Sequence, residues 1–335
     1  MNRNALCLVP CLILSLLFCS TGRSAAAQQE TPVVRYILNN LGSVYTTDIA
    51  LEQGFFAAEG VRVETVGVAG GGSPVIQAVL TGSADLGGAA MPAYINAARA
   101  GGKLKVIYGG PAMAHEHDPG YLWIVRSDSH INSAKDLVGK TIAMGARGAM
   151  WEYATKEYLK KNGVPVDKLN ILVVPTPQQE QVLRSKQVDV IVAVSPLSDK
   201  ILEGGGTKVL TTLYDIFGKH IGGAGFGIIV REEFARKNPE LARKLVAVHL
   251  KTDLWVQKNP RLARKAVASI LQKRKQNPVI AKYWKPTQLR NYGLLDDRDV
   301  SYWLDWFVQE GKLKEGEIKP SDIYTNQFNP HYRKL

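Results

Sequence analysis

The stretch VAGGGSPVIQAVLTGSADLGGAA, residues 68–90, places a loop, a helix and a short strand in immediate succession. Glycines end an alternating segment, and Pro74 has the fixed φ that suits the first turn of a helix reaching Leu80. The glycines suggest a phosphate cradle, yet residues 70–88 contain no spaced dinucleotide fingerprint. The stretch therefore predicts one unit of an α/β fold, with a small-residue loop before the helix.

The same order of elements recurs on both sides of this stretch. Buried strands are predicted at VVRYIL (33–38), VRVETVGV (61–68) and LKVIYGG (104–110), with helices between them. After a polar loop at 113–120, the pattern restarts with YLWIVRS (121–127). This alternation is typical of mostly parallel sheets with helices on both faces, and its restart predicts two α/β lobes.

Two similar segments are candidates for the connections between the lobes. GFGIIVREE (225–233) echoes YLWIVRSDS (121–129), since each passes from an apolar run through Val-Arg to acidic and polar residues. The pair could carry the chain from the first lobe to the second and back. A single helix is predicted for residues 48–59, and residues 239–335 are predicted to be helical.

The amino-terminal segment has the three-part layout of a secretory signal. Arg3 precedes an apolar run at 5–18 and a small-residue stretch at 24–27, so cleavage is predicted after Ala27. The run is shorter than the roughly 20 apolar residues that a membrane-spanning helix needs. Lipidation of Cys19 is an alternative, which the bulky Phe18 before it disfavours.

The cysteines exclude several kinds of chemistry. Cys7, Cys11 and Cys19 all lie in the predicted signal segment, so the mature chain has no thiol. Disulfides, zinc–cysteine sites and cysteine nucleophiles are therefore excluded.

The basic charge is concentrated in one region. The chain has a formal net charge of +12, and residues 231–290 contain sixteen Lys/Arg against four Asp/Glu. Such a region would fit a nucleic-acid-binding protein, but an exported chain rarely meets nucleic acid. The charges also fall on the polar faces of predicted helices, so we interpret them as solvated and predict no nucleic-acid partner.

No motif of an enzyme or a metal site stands out. Gly139-Lys140-Thr141 imitates the end of a P-loop, but it precedes a strand and residue 134 is alanine where that loop needs glycine. The cluster at 115–118, His-Glu-His-Asp, matches no zinc spacing and is interpreted as a solvated loop. We therefore predict no catalytic residue, no metal and no cofactor.

Loop-to-helix junctions rich in small residues are the remaining candidates for function. They lie at 71–74, 88–92 and 145–149, each after a predicted strand. Free backbone N–H groups at a helix start favour an anion, and ligands in open α/β sheets bind outside the carboxyl ends of strands. Ordinary turn chemistry is the alternative for any one junction.

The order and content of five stretches resemble a known family. They are ALEQGFFAAEGVRVETV (50–66), GGGSPVIQAVLTGSADLGGAA (70–90), LWIVRSDSHINSAKDLVGKTIAM (122–144), VLRSKQVDVIVAVSPLSDKILEGG (182–205) and GIIVREEFARKNPELARKLV (227–246). Together they resemble the nitrate/sulfonate/taurine-type periplasmic substrate-binding proteins of ABC importers. The resemblance runs from about residue 33 to residue 265.

The resemblance implies a type II periplasmic-binding-protein fold, with two α/β lobes of mostly parallel sheets joined by two crossover strands. The expected organisation is a signal peptide at 1–27, a first lobe at 28–120 plus 226–335, and a second lobe at 121–225. The chain would be a periplasmic monomer that binds a small organic anion (a sulfonate, carboxylate or aromatic acid) and delivers it to an inner-membrane permease. An enzyme of pyrimidine-precursor chemistry and a sensor partner are the alternatives. Relatives that synthesise the thiamine pyrimidine use a cysteine-rich motif, which the mature chain lacks.

By matched position, the resemblance also implies ligand contacts in both lobes. These residues are Asn40, Ser43, Tyr45, Thr46, Ser73, Pro74, Ala90, Met91, Ala146, Arg147, Gly148, Ala149, Trp151 and Ser195. Arg147 either holds a carboxylate or sulfonate bidentately or is a surface arginine. Trp151 either stacks on an aromatic ligand or packs under its own helix. Phe226, like Tyr45 and Trp151, leaves room for an aromatic ring.

Overall fold

The computed structural model describes residues 31–39, 44–110, 114, 118–147, 149–218, 226–286 and 288–333. The predicted signal segment, its cleavage site and residues 115–117 of the His-Glu-His-Asp cluster lie outside these ranges. The described strands are β1 (Val33–Asn39), β2 (Arg62–Ala69), β3 (Gly87–Ala90), β4 (Leu104–Gly109), β5 (Leu122–Arg126), β6 (Thr141–Met144), β7 (Asn170–Val173), β8 (Val190–Ala193), β9 (Thr207–Thr212) and β10 (Phe226–Arg231).

The α-helices of the same ranges are α1 (Thr46–Glu52), α2 (Phe55–Ala58), α3 (Gly72–Leu80), α4 (Met91–Arg99), α5 (Met150–Lys161), α6 (Gln179–Arg184), α7 (Leu197–Glu203), α8 (Leu213–Phe217), α9 (Glu232–Lys237), α10 (Pro239–Lys258), α11 (Pro260–Lys273), α12 (Asp297–Gln309) and α13 (Pro320–Ile323). None of them combines the length and the apolar character needed to cross a lipid bilayer.

The strands form two sets with the same pattern of order. One sheet has the order β7-β6-β8-β5-β9. In the other set, β1 pairs with β2, and β10 lies between β3 and β4. A parallel bridge from Tyr36 to Leu86 joins these two pieces, which gives the order β2-β1-β3-β10-β4.

The fold is α/β, as predicted, and its sheets are mixed. β5 is antiparallel to β8 and β9, and β10 is antiparallel to β3 and β4, whereas β1 with β2 and β6 with β7 and β8 are parallel. The two antiparallel strands are the pair that the sequence suggested as connections between lobes. The predicted lobe boundaries, near residues 120 and 225, stay a prediction.

The apolar runs form strands because helices cover both faces of the sheets. On β1, Tyr36 and Leu38 lie in a core cluster with α10 residues such as Leu245, whereas Ile37 faces the other way into a cluster with Val75 of α3. A strand buried on both faces has an apolar run in place of strict alternation.

Helix α12 connects elements that pack on the two different sheets. Trp303, Trp306 and Phe307 of α12 surround Tyr153 of α5, with ring centroids 5.4–6.5 Å apart. Phe217 of α8 packs on Trp303 at 5.6 Å. Because α12 also contacts α4, it joins the two halves of the chain through an aromatic cluster.

Several predicted element boundaries are wrong for local reasons. The single helix expected at 48–59 is divided into α1 and α2 because Gly54 adopts a left-handed φ of 69°. Helix α3 begins at Gly72, before Pro74. Strand β9 was not predicted. The carboxyl-terminal region is not helical throughout, since a 3-10 turn at Pro278–Tyr283 and irregular chain separate α11 from α12.

Candidate functional site

Small-residue loops at the carboxyl ends of β2 and β6 touch each other. Gly71 lies in the loop from β2 to α3, and Ala146 lies in the loop from β6 to α5. A Cβ atom added to Gly71 would lie 2.7 Å from the Cβ of Ala146. Since β2 and β6 belong to different sheets, the strand ends of the two sheets face each other at this contact, where ligands bind in open α/β folds.

An aromatic pair packs on β3, the strand whose Ala89 lies against Gly72 at the end of the same loop. The rings of Tyr45 and Phe226 stack with centroids 4.6 Å apart and planes inclined by 8°. Phe226 opposes Ala90 in the β10–β3 register, and its ring lies against Gly88, where a Cβ would be 2.5 Å from the ring. Gly88 therefore makes room for the Phe226 ring.

A second aromatic group supports the loop after β6. Trp151 is 1% exposed, and its indole N–H donates to the carbonyl oxygen of Ala146 at 2.8 Å. Tyr121 packs edge-on against Trp151 at 5.5 Å. Burial raises the pKa of the Tyr121 phenol, so the ring is neutral at ordinary pH. A Cβ on Gly145 would clash with both Trp151 and Thr176. These two side chains therefore pack directly against the backbone of the loop.

The amino terminus of α1 is tied to buried groups on α10. The Thr46 hydroxyl donates to Asp253 Oδ1 at 2.6 Å, and the Tyr108 hydroxyl donates to Asp253 Oδ2 at 2.6 Å. Burial raises the pKa of Asp253 to about 6, and these two hydrogen bonds oppose the rise. One turn earlier, His249 Nδ1 donates to the Leu245 carbonyl at 2.7 Å, so its Nε2 accepts from the Thr47 hydroxyl at 2.9 Å.

A buried ion pair with Arg274, the residue directly after α11, supports the same helix. Asp48 accepts from the backbone N–H of Tyr45 at 2.8 Å and pairs with the Arg274 guanidinium at 2.7 Å. Burial raises the pKa of Asp48, and Arg274 acts against that rise. Tyr45 thus stands on a helix start that both α10 and α11 hold in place.

Arg147 and Ser195 have partners outside this contact. The Arg147 guanidinium donates to the Ile171 carbonyl of β7 at 3.0 Å, lies 3.6 Å from Glu152, and is 54% exposed. Ser195 donates its hydroxyl proton to the carbonyl oxygen of Tyr283 at 3.1 Å. A ligand contact by either side chain stays a prediction.

The other predicted contact residues occupy varied environments. Ser73 and Pro74 are exposed at the start of α3, Ala90 is half-buried, and Met91 and Ala149 are buried. Asn40, Ser43 and Gly148 lie outside the described residues. Among the predicted contacts, Trp151 is hydrogen-bonded to Ala146. Tyr45 and Ala90 share a neighbour, since Phe226 stacks on Tyr45 and lies opposite Ala90 in the β10–β3 register. Within the described ranges, no group of three His, Cys, Asp or Glu side chains gathers as a metal site would require.

One buried residue at this edge was not among the predicted contacts. Asn39 ends β1, is 2% exposed, and donates from Nδ2 to the carbonyl oxygen of Gly88 at 3.2 Å. A polar residue directly after an apolar strand was the available signal, but the prediction used only the loop that follows it.

Comparison with family models gives one match. The model described as NMT1/THI5 like matches residues 44–263, well over half of the chain. No curated protein matches the sequence significantly.

Solved structures share the fold at low identity. The alkanesulfonate-binding protein SsuA from Xanthomonas axonopodis pv. citri, bound to MOPS, has a TM-score of 0.70 and 18% identity over 88% of this chain and 99% of that one. The periplasmic aliphatic sulphonate binding protein SsuA from Escherichia coli has a TM-score of 0.67 and 15% identity, covering 87% and 91%. The periplasmic nitrate-binding protein NrtA from Synechocystis PCC 6803 has a TM-score of 0.67 and 14% identity, covering 89% and 87%.

Proposed function

The chain belongs to the NMT1/THI5 like family, and from this premise we propose that it is a solute receptor of an ABC importer. It is exported to the periplasm, binds a small organic anion between two lobes, and delivers that anion to a permease in the inner membrane. The observation that carries the proposal is the contact between Gly71 and Ala146, at which the strand ends of the two sheets meet.

The site has the parts that such a receptor needs. Stacked rings and small residues supply apolar surface, and the first turns of α3 and α5 supply backbone N–H groups for a negative charge. Within the part of the chain that the structure describes, the residues that begin these helices, Gly71 and Ala149, make no side-chain cap hydrogen bond. A solute acceptor at these helix starts would satisfy those donors.

Ligand binding would be coupled to closure of the lobes. A solute that contacts both strand-end loops favours the closed arrangement, because only that arrangement provides both sets of contacts. The permease would then recognise the closed shape.

A thermal-shift screen of the purified chain tests the proposal. The solutes are nitrate, alkyl and aromatic sulfonates, aliphatic and aromatic carboxylates, and pyrimidines. At 100 times its dissociation constant, a ligand adds about 2.7 kcal/mol to the free energy of unfolding, which raises the unfolding midpoint. A shift for one chemical class supports the proposal. The absence of any shift, with no retained solute in mass spectrometry of the denatured protein, would rule it out.

Arg147 can be tested in the same assay. If its guanidinium leaves Ile171 to hold the anion, Arg147→Ala weakens binding by about 1–2 kcal/mol or more, as expected for a charged hydrogen bond. Unchanged affinity would remove Arg147 from the site.

A further inference from the structure

Positive charge without counter-charge is concentrated in and around α11. Residues 254–295 contain ten Lys/Arg and no Asp or Glu. Five of these cations form ion pairs with acids of other elements: Lys273 with Glu52, Arg274 with Asp48, Lys282 with Glu203, Lys285 with Asp199, and Arg290 with Asp299. Among the described residues, the other five have no acidic partner: Lys258, Arg261, Arg264, Lys265 and Lys275. We call these five the basic face.

The basic face is the exposed side of α11 and its two ends. The opposite side of the helix packs in a core cluster through Ala263, Val267 and Ile270. Arg261 and Lys265 are four residues apart, so they are neighbours on the exposed side. Arg264 is exposed beside Lys265, and its Nε donates to the carbonyl oxygen of Trp284 at 3.1 Å, which leaves the positive charge uncompensated.

The remaining two members extend the charge past both ends of the helix. Lys258 is exposed at the end of α10, two residues before α11 begins, and Lys275 is exposed two residues after α11 ends. A helix of this length spans about 20 Å, so the charge covers a surface and not a point. Such a surface fits an extended anionic partner better than a small anion.

Two large apolar side chains are exposed next to these cations. Leu262, directly after Arg261, is 49% exposed, and Val279, four residues after Lys275, is 64% exposed. Val279 lies in the 3-10 turn at Pro278–Tyr283, which packs against α11. Cations beside exposed apolar side chains are typical of surfaces that bind at the boundary between lipid headgroups and acyl chains.

We propose that the basic face binds the surface of a membrane that contains anionic phospholipids, with Leu262 and Val279 entering the headgroup region. The uncompensated cations are attracted to the lipid phosphates, and each one near an anionic bilayer adds to the attraction. The apolar side chains favour a bilayer over a dissolved polyanion, because only the bilayer offers them apolar surface. This inference goes beyond the proposed function: the basic face is not part of the candidate site, and either proposal can fail without the other.

Co-sedimentation of the purified chain with lipid vesicles tests the inference. One kind of vesicle contains equal parts of phosphatidylglycerol and phosphatidylcholine, and the other contains phosphatidylcholine alone. The apolar run at 5–18 would bind both kinds, so the readout is the difference between them. At low salt the chain should bind the anionic vesicles about tenfold or more tightly than the neutral ones, and the difference should shrink in high salt.

Three outcomes of this experiment overturn the inference. The first is equal binding to both kinds of vesicle, and the second is no binding to either. The third is tighter binding to duplex DNA than to anionic vesicles at the same phosphate concentration, which would assign the basic face to nucleic acid.

Two double variants locate the effect on the surface. Arg261→Gln with Lys265→Gln removes two charges of the basic face, and it should lower binding to anionic vesicles about tenfold or more. Lys135→Gln with Lys314→Gln is the control, because both lysines are exposed outside residues 254–295 and the change in net charge is the same. The control should leave vesicle binding nearly unchanged.

Both double variants should keep the wild-type unfolding midpoint, because all four side chains are exposed. Equal losses of vesicle binding in the two variants would show that net charge alone attracts the chain, and would overturn the inference. Unchanged vesicle binding in Arg261→Gln with Lys265→Gln would overturn it as well.

Discussion

Tyr45, which precedes α1, and Phe226, the first residue of β10, lie face to face with ring centroids 4.6 Å apart. The two residues are far apart in sequence, and their stack joins the start of α1 to β10, the strand predicted as the second connection between the lobes.

The stack is expected to contribute to stability as a pair. Stacked aromatic rings contribute about 0.5–1.5 kcal/mol beyond the area that they bury. A double-mutant cycle with Tyr45→Leu and Phe226→Leu, measured by urea unfolding, should give a coupling energy in that range. A cycle of Phe226→Leu with Phe55→Leu is the control, since Phe55 packs on Trp255 instead. Equal coupling in both cycles would contradict a direct interaction.

Gly71 is expected to be needed for closure. Its φ of 166° is extended backbone that any residue adopts, so Gly71→Ala acts only through the clash with Ala146 at 2.7 Å. Overpacking of this kind costs about 1–3 kcal/mol, and it disfavours the closed arrangement. Solute affinity should fall about tenfold, and small-angle scattering should show less compaction with ligand. Gly70→Ala is the matched control, because a Cβ there meets no atom within 4 Å. Equal effects of both changes would exclude the steric explanation.

Two buried groups on α10 are expected to have opposite effects on stability as pH changes. Asp253 has a pKa raised from 3.8 to about 6, so the folded chain binds more protons there, and stability from this group falls as pH rises between those values. His249 has a pKa lowered from 6.5 to about 4, so the unfolded chain binds more protons, and stability from this group rises over that interval. Each effect is about 3 kcal/mol, and the two nearly cancel.

Asp253→Asn should expose the effect of His249. Asparagine can still accept from Thr46, but it does not titrate. The free energy of unfolding of the variant relative to wild type should therefore rise by about 3 kcal/mol between pH 4 and 6.5, in urea titrations across that range. A difference that stays constant between pH 4 and 6.5 would contradict the raised pKa of Asp253.

Ion pairs join α7 to the segment after α11. Lys282 lies 3.1 Å from Glu203, and Lys285 lies 3.4 Å from Asp199, next to the Ser195 hydrogen bond to Tyr283. Exposed pairs contribute about 0.2–1 kcal/mol each and are screened by salt. If they help to hold the closed state, Glu203→Lys should weaken solute binding up to about fivefold at low salt. Adding Lys282→Glu should restore affinity by reversing the pair. This ion pair has no role in closure if the double variant does not regain solute affinity. The same conclusion follows if the loss of affinity in Glu203→Lys persists in high salt.

The sequence predicted most of the fold because its signals are local. Apolar runs bounded by glycine and proline identified strands such as β5 and β8, and the repeated strand–helix order predicted the α/β class. Element boundaries were less well predicted. Gly54 breaks a helix whose apolar pattern continues through it, and β9 has the half-polar sequence TKVLTT, which becomes a strand through pairing with β5.

The candidate site was predicted only in part. The small-residue loops were identified from composition, and the structure places Gly71 against Ala146. Two hydrogen-bond partners could not be predicted, Ile171 for Arg147 and Tyr283 for Ser195, because they lie 24 and 88 residues away along the chain.

The sequence by itself determined the α/β class, the family resemblance and the absence of cysteine after residue 19, because these depend on residue type and order along the chain. Only the tertiary structure decided that Gly71 meets Ala146, that Phe226 stacks on Tyr45, and that Asn39 has an oxygen without a donor among the described residues. The physical reason is that such contacts depend on how strands pair and helices pack across long sequence separations, and no local pattern of residues encodes which polar atom is left unpaired.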